Sequence, residues 1–273
     1  LISAFIKSSP WGAHLDINIK NWSIPLYQAT ANTPMQPMAT TLGGEGWMGW
    51  NTVMNVPIPA GATPDPSGDA HLAVISADRK IEWGCYAASY NPTRPQAWYA
   101  ELCATTDLTG TGVKTPEVMA QPWYLAHGAR ACGFPLVAGL IRPEEIKAGA
   151  IEHALVVAYP GILKFKYQSP ASTSSGIGVD SNGIPCGGRI QFDPSVDVTK
   201  LGLSPAGVIV MKALQKYGAY VGDYSGALSL YADNSAEAKA YWNSGVLDMY
   251  ALMDKIDLTK FRVVKYDTVY TKQ

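Results

Sequence analysis

The chain carries little charge. Asp, Glu, Lys and Arg make up 16% of its 273 residues, against the roughly 25% usual in globular proteins. With 21 Lys and Arg against 22 Asp and Glu, the net charge is −1. No general attraction therefore draws it to nucleic acid or to an anionic membrane. Long apolar runs are also missing. The longest uncharged stretch, Asn21 to Gly44, is broken by Pro25, Pro34 and Pro37, whereas a spanning helix needs about 20 predominantly apolar residues. No Cys-x-x-Cys spacing occurs, which argues against a structural zinc site or a redox motif. Gly43-Gly44-Glu45-Gly46 has neither a Walker lysine nor a dinucleotide fingerprint. Ser172–Ser175 forms no nucleophile elbow, so a serine hydrolase is unsupported. No internal repeat, Gly/Ser linker or charge run divides the chain, and a single domain over residues 1–273 is expected.

What is abundant points to β structure. Hydrophobic residues reach 47%, with 26 Gly, 19 Pro, 15 Tyr and 8 Trp. That is a composition for a loop-rich β protein rather than a helical bundle. Ala70–Ser76 and Ile81–Ser89 read as a hairpin turned at 77–80, and Ala97–Ala104 adds a third strand. Ile151–Tyr159, Arg189–Phe192, Ala219–Gly222, Leu228–Ala232 and Phe261–Lys265 read as further strands. Thr115-Pro116 opens a helix running to about Arg130, and Arg142–Gly149 is one short helical turn stopped by Gly149. Ser204-Pro205 opens the clearest helix, through Tyr217 with Gly218 as its stop. The expectation is a mainly β, sandwich or jelly-roll-like domain with two or three flanking helices.

Four cysteines give the compartment signal. Folding the hairpin about Asn91–Pro95 brings Cys85 close to Cys103. Cys132 and Cys186 both sit in Gly-rich loops. Disulfides 85–103 and 132–186 are expected, the alternative being four buried free thiols. Disulfides imply an oxidising, extracellular setting. The opening Leu1-Ile2-Ser3, without Met, fits a processed N-terminus.

Several segments together resemble a family of secreted bacterial proteins without an established function. They are Ser9-Pro10-Trp11, Ile24-Pro25-Leu26-Tyr27, Pro57–Ala62, Asp69–Val74, Cys132–Arg142, Gly149–Leu155 and Leu214–Gly218 with Asp223. The resemblance covers almost the whole chain. It implies an extracellular, carbohydrate-related context with a polysaccharide or glycan as partner, and it supplies no reaction.

Chemistry must come from the residues. Asp69 and His71 flank Ala70 at the start of a strand, where alternation would put both on one face. Glu82 lies on the returning strand, and His153 sits inside an otherwise apolar one. Converging, His71, Glu82 and His153 would suit acid–base work or hold a metal through two His and a carboxylate; no other cofactor is implied. A glycan-cleaving site needs two carboxyl groups flanking the bond. Glu82 and Asp69 are the first candidates, with Asp223 and Glu145 as substitutes. Arg142 and Arg189 could neutralise a uronate, with His71 or Tyr217 as the proton acceptor of a lyase. Trp47, Trp50, Trp83, Trp98 and Trp123 could stack on sugar faces, although packing in the core explains a single Trp as well. A secreted glycoside hydrolase is the leading expectation, a lyase the lesser. The rival is a non-catalytic extracellular protein that binds glycan or assembles with copies of itself.

Overall fold

The computed structural model describes residues 14–40, 53–119, 126–252, 254–265 and 268–272. Among these the chain is mainly β, as its composition implies, with strands in four sheets. Two of the sheets make a sandwich. The first is ordered β2 (Leu26–Gln28), β5 (Leu72–Ile75), β6 (Ile81–Tyr86) and β9 (Leu102–Asp107). The second is ordered β4 (Val53–Pro57), β3 (Met35–Thr40), β8 (Trp98–Ala100) and β7 (Ser89–Tyr90). Strand alternation explains how they pack. Leu72, Val74, Cys85 and Cys103 leave one face of the first sheet to meet Met38, Val56, Trp98 and Ala100 of the second. Ala73, Leu102 and Ala104 leave the opposite face and join the larger core.

The larger core surrounds a six-stranded mixed sheet. Its order is β1 (Leu15–Asn18), β15 (Leu228–Tyr231), β10 (Leu155–Ala158), β14 (Ala219–Asp223), β13 (Arg189–Phe192) and β16 (Phe261–Val263). β10 is buried along its whole length, because both of its faces are covered. A small third layer combines β12 (Ile184–Cys186), β11 (Ile162–Tyr167) and β17 (Tyr270–Thr271).

The helices start and stop where the sequence signals them. In α3 (Pro205–Lys216) the Ser204 hydroxyl caps the Gly207 N–H at 3.1 Å. Gly218 follows with φ 74°, a left-handed conformation that glycine adopts without steric cost. Val210, Met211 and Leu214 on its inner face are buried in the main core. α2 (Pro143–Ala148) ends at Gly149 with φ 82°. Only α1 (Pro116–Met119) of the expected Thr115 helix is described in full, and residues 120–125, with Trp123, lie outside the described residues. A further helix, α4 (Ala236–Tyr241), is capped by Ser235.

Four strand expectations need correction. The run Ile81–Ser89 holds only to Tyr86, where β6 ends, and Ser89 begins β7 in the other sheet, with the left-handed Ala87 between them. The run Ala97–Ala104 is two strands that part at Glu101, β8 in one sheet and β9 in the other. Ile151–Tyr159 is extended only over β10, so His153 precedes the strand. The hairpin strand begins at Leu72, because Ala70 is left-handed at φ 40°. The alternation that would have paired Asp69 with His71 is therefore broken. Both disulfides are present, with Cys85 directly opposite Cys103 in the β6–β9 register. Among the described residues no helix is long and apolar enough to cross a membrane.

Candidate functional site

The ionisable residues gather around a cation. Gly128–Phe134 is a tight turn in which the Gly133 N–H donates to the Arg130 carbonyl at 2.7 Å and the Arg130 N–H donates to the Phe134 carbonyl at 3.1 Å. The Cys132–Cys186 disulfide and a Cys132 N–H bond to the Gly222 carbonyl fix this turn against β14. Gly222 leaves room there, since a Cβ would overlap the Val156 side chain and crowd those of Arg130 and Phe134. The Arg130 side chain is 1% exposed. Its Nη2 donates to the Leu136 carbonyl at 2.8 Å, and its guanidinium lies 4.3 Å from the centre of the Tyr231 ring. The cation–π contact supports charge that has few hydrogen bonds: Nε and Nη1 have no partner among the described residues.

Asp69, His71, Glu82, Asp223 and Tyr231 all feel the Arg130 charge. Their environments divide them sharply. Glu82 is 1% exposed and accepts the Val137 N–H at 2.8 Å. Burial pushes its carboxyl up to about 7, against the pull of that bond and of Arg130. It is a buried brace for the 136–137 segment and has no surface to offer a substrate. His71 is also enclosed; burial and then Arg130 hold its imidazole down at about 3, so it is neutral.

Asp69 and Asp223 differ, because each retains surface toward solvent. Burial and then the neighbouring Asp65 raise the Asp69 carboxyl. At the end of β14, packed atoms surround Asp223 although part of it stays open. Burial takes its carboxyl up to about 6, and the Asp69 charge adds to the rise. Arg130, the Tyr224 N–H and the Tyr231 hydroxyl pull the other way. The Asp69 charge thus reaches Asp223 and favours its protonated form. Tyr86 stands beside them, and burial together with Asp69, Glu101 and Asp223 raises its phenol. A tyrosine so surrounded by acids is a poor base.

The backbone beneath this pair is unusual. Ala70 and Ala87 have φ of 40° and 51°, a left-handed conformation costly for residues other than glycine. They are stitched to each other's segments: the Ala87 N–H donates to the Asp69 carbonyl at 2.8 Å and the Ala88 N–H to the Ala70 carbonyl at 2.9 Å. Asp65 anchors the same loop by accepting the Trp22, Ser23 and Ser67 N–H groups and the Asn234 amide.

Arg142 and His153 belong elsewhere. Glu145 Oε1 accepts from Arg142 at 2.6 Å and pairs with His153 Nε2 at 2.7 Å. Burial alone would raise the Glu145 carboxyl, but the bonds from His153 and Arg142 outweigh it and lower it. Burial alone would lower the imidazole of His153, but Glu145 outweighs it and raises it. This triad joins α2 to the segment before β10, and among the described residues no side-chain hydrogen bond or ion pair links it to Arg130, Asp69 or Asp223. His71, Glu82 and His153 do not converge, and among the described residues no group of three such side chains could hold a metal ion.

Of the aromatic candidates, Trp83 and Trp98 pack on the sandwich core, and Trp47 and Trp50 lie outside the described residues. Tyr217 caps α3, with its carbonyl 3.4 Å from Arg189 Nη1. Arg189 lines a cavity of about 370 Å³ with Tyr220, Lys265 and Tyr270. Arg130, Tyr86 and Tyr231 were not among the expected site residues. The Arg130 signal was available: a lone cation within Gly128-Ala129-Arg130-Ala131-Cys132-Gly133 has only small neighbours and is set up for burial. No protein-family model, characterised protein or solved structure matches this chain.

Proposed function

We propose that the protein is a secreted, glycan-active hydrolase whose acid–base pair is Asp223 and Asp69. The observation that carries this reading is a pair of acids, Asp223 and Asp69, on residues that keep some surface beside a strained loop, with Asp223 raised to about 6 by burial and by the Asp69 charge. Hydrolysis of a glycosidic bond needs one carboxyl group protonated and the other ionised at the same pH. Asp223 holds its proton to the higher pH and acts as the acid. Its proton passes to the leaving oxygen as the bond to the anomeric carbon breaks. Asp69 takes a proton from the water whose oxygen replaces it. Arg130 keeps the second carboxylate ionisable, and Tyr231 orients Asp223. The two disulfides support a secreted setting. The raised Tyr86 phenol and the neutral, enclosed His71 weigh against a lyase base at this cluster.

One observation favours the rival, non-catalytic reading. Met35, Val53 and Tyr90 are more than half exposed on strands of the outer sheet, which suits contact with another molecule. A panel of polysaccharides incubated with the purified protein, read by new reducing ends, separates the two. Cleavage lost in both Asp223→Asn and Asp69→Asn is the expected result. Binding without cleavage, or filaments without either, would refute the hydrolase.

A further inference from the structure

The 370 Å³ cavity lies within the size range of small-molecule sites. Its described lining contains two cations, Arg189 and Lys265, and no acidic residue. Among the described lining residues that is an excess of positive charge, in a chain of net charge −1. Neither cation has a carboxylate partner among the described residues. Arg189 makes only a long bond from Nη1 to the Tyr217 carbonyl, at 3.4 Å, and its guanidinium is 5.9 Å from the Tyr220 ring centre. The fork is thereby steered yet left with donors to spare. Register pairing of Arg189 with Tyr220 on β14 sets both at the same level of the sheet. Tyr270, also in the lining, is held by stacking on Tyr167 at 5.4 Å between ring centres.

We infer that this cavity is a binding subsite for an acidic sugar unit, with Arg189 and Lys265 taking its carboxylate and Tyr220 and Tyr270 bounding its ring. A guanidinium fork binds a carboxylate through two parallel bonds, and tyrosine combines an apolar face with a polar tip. A small inorganic anion would have no use for the two rings. The assignment of a saccharide rests on the glycan reading above and adds its charge.

The test is calorimetric titration of the Asp223→Asn protein with tetragalacturonate, with its carboxyl-reduced neutral counterpart and with acetate. Tetragalacturonate should bind, the neutral oligomer at least tenfold more weakly, and acetate should not compete at equal carboxylate concentration. Arg189→Ala should weaken tetragalacturonate tenfold or more. Lys265→Ala, at an exposed position, should weaken it several-fold. Added salt should weaken it too. Equal affinity for the neutral oligomer, competition by acetate, or no effect of either substitution would overturn the inference. Tetragalacturonate bound but no polysaccharide cleaved by the wild type would leave the subsite standing and sink the hydrolase. Cleavage confined to neutral glycans, with no acidic oligomer bound, would do the reverse.

Discussion

Replacing Glu82 with Gln should make the protein more stable in mildly alkaline solution. The carboxyl of Glu82 is raised from its ordinary 4.5 to about 7, chiefly by burial. Between those values the native state keeps a proton that the unfolded chain has released. Stability therefore falls as pH rises through the window, and the loss is complete above about pH 7. At 1.36 kcal/mol per pH unit, the shift corresponds to roughly 3 kcal/mol. Gln keeps the size of the side chain and an oxygen for the Val137 N–H, which Glu82 accepts at 2.8 Å. It cannot ionise. Urea unfolding across a pH series should show similar stabilities near pH 4.5 and an advantage for Glu82→Gln that grows to about 3 kcal/mol by about pH 8. Titration of His71 is common to both proteins and cancels. A constant difference at every pH, or a less stable Gln variant at pH 8, would refute the claim that Glu82 is a desolvated brace.

Further outcomes follow from other parts of the fold. The imidazole of His71 is held down at about 3 against an ordinary 6.5. It contributes stability above the ordinary value that is lost as pH falls toward about 3, and His71→Gln should remove that part of the acid slope in the same unfolding series. Replacing Cys132 and Cys186 by Ala opens a loop whose ends are 54 positions apart, and should cost about 4 kcal/mol, against about 3 for the pair 18 apart. Thermal unfolding of the two double variants checks the order. Gly139 has φ 66°, and a Cβ there would overlap the backbone of Leu155 and Val156. Gly139→Ala should lose at least about 2 kcal/mol by urea unfolding.

Much of the scaffold was legible in the sequence for local reasons. Ser204-Pro205 with Gly218, and Pro143 with Gly149, mark helix ends through capping and left-handed glycine, and these depend on neighbours only. The 85–103 disulfide followed from folding one strand run back on another. The site was harder. His71 and His153 both sit in apolar contexts, yet one lies under Arg130 and the other on Glu145, and no periodicity distinguishes them. Glu82 and Asp223 are single acids on strands. Which of the two keeps a solvent-facing surface depends on the 136–137 segment and on the Arg130 turn, both remote in sequence. The division of Ala97–Ala104 between two sheets was hidden in the same way, because the run carries no Gly or Pro at Glu101 to mark the step.

Hydrolysis as proposed requires Asp223 to donate a proton while Asp69 stays ionised. The most direct measurement is the pH dependence of polysaccharide cleavage by the wild-type protein beside Asp223→Asn. The donor must be protonated, so cleavage should fall as pH rises through about 6. A lower limb should mark protonation of Asp69, whose carboxyl lies above its ordinary 3.8. Asp223→Asn should reduce the rate by a factor of roughly 100 to 10,000 and abolish the limb near 6. Undiminished cleavage by Asp223→Asn, or a rate independent of pH from 5 to about 8 in the wild type, would contradict it.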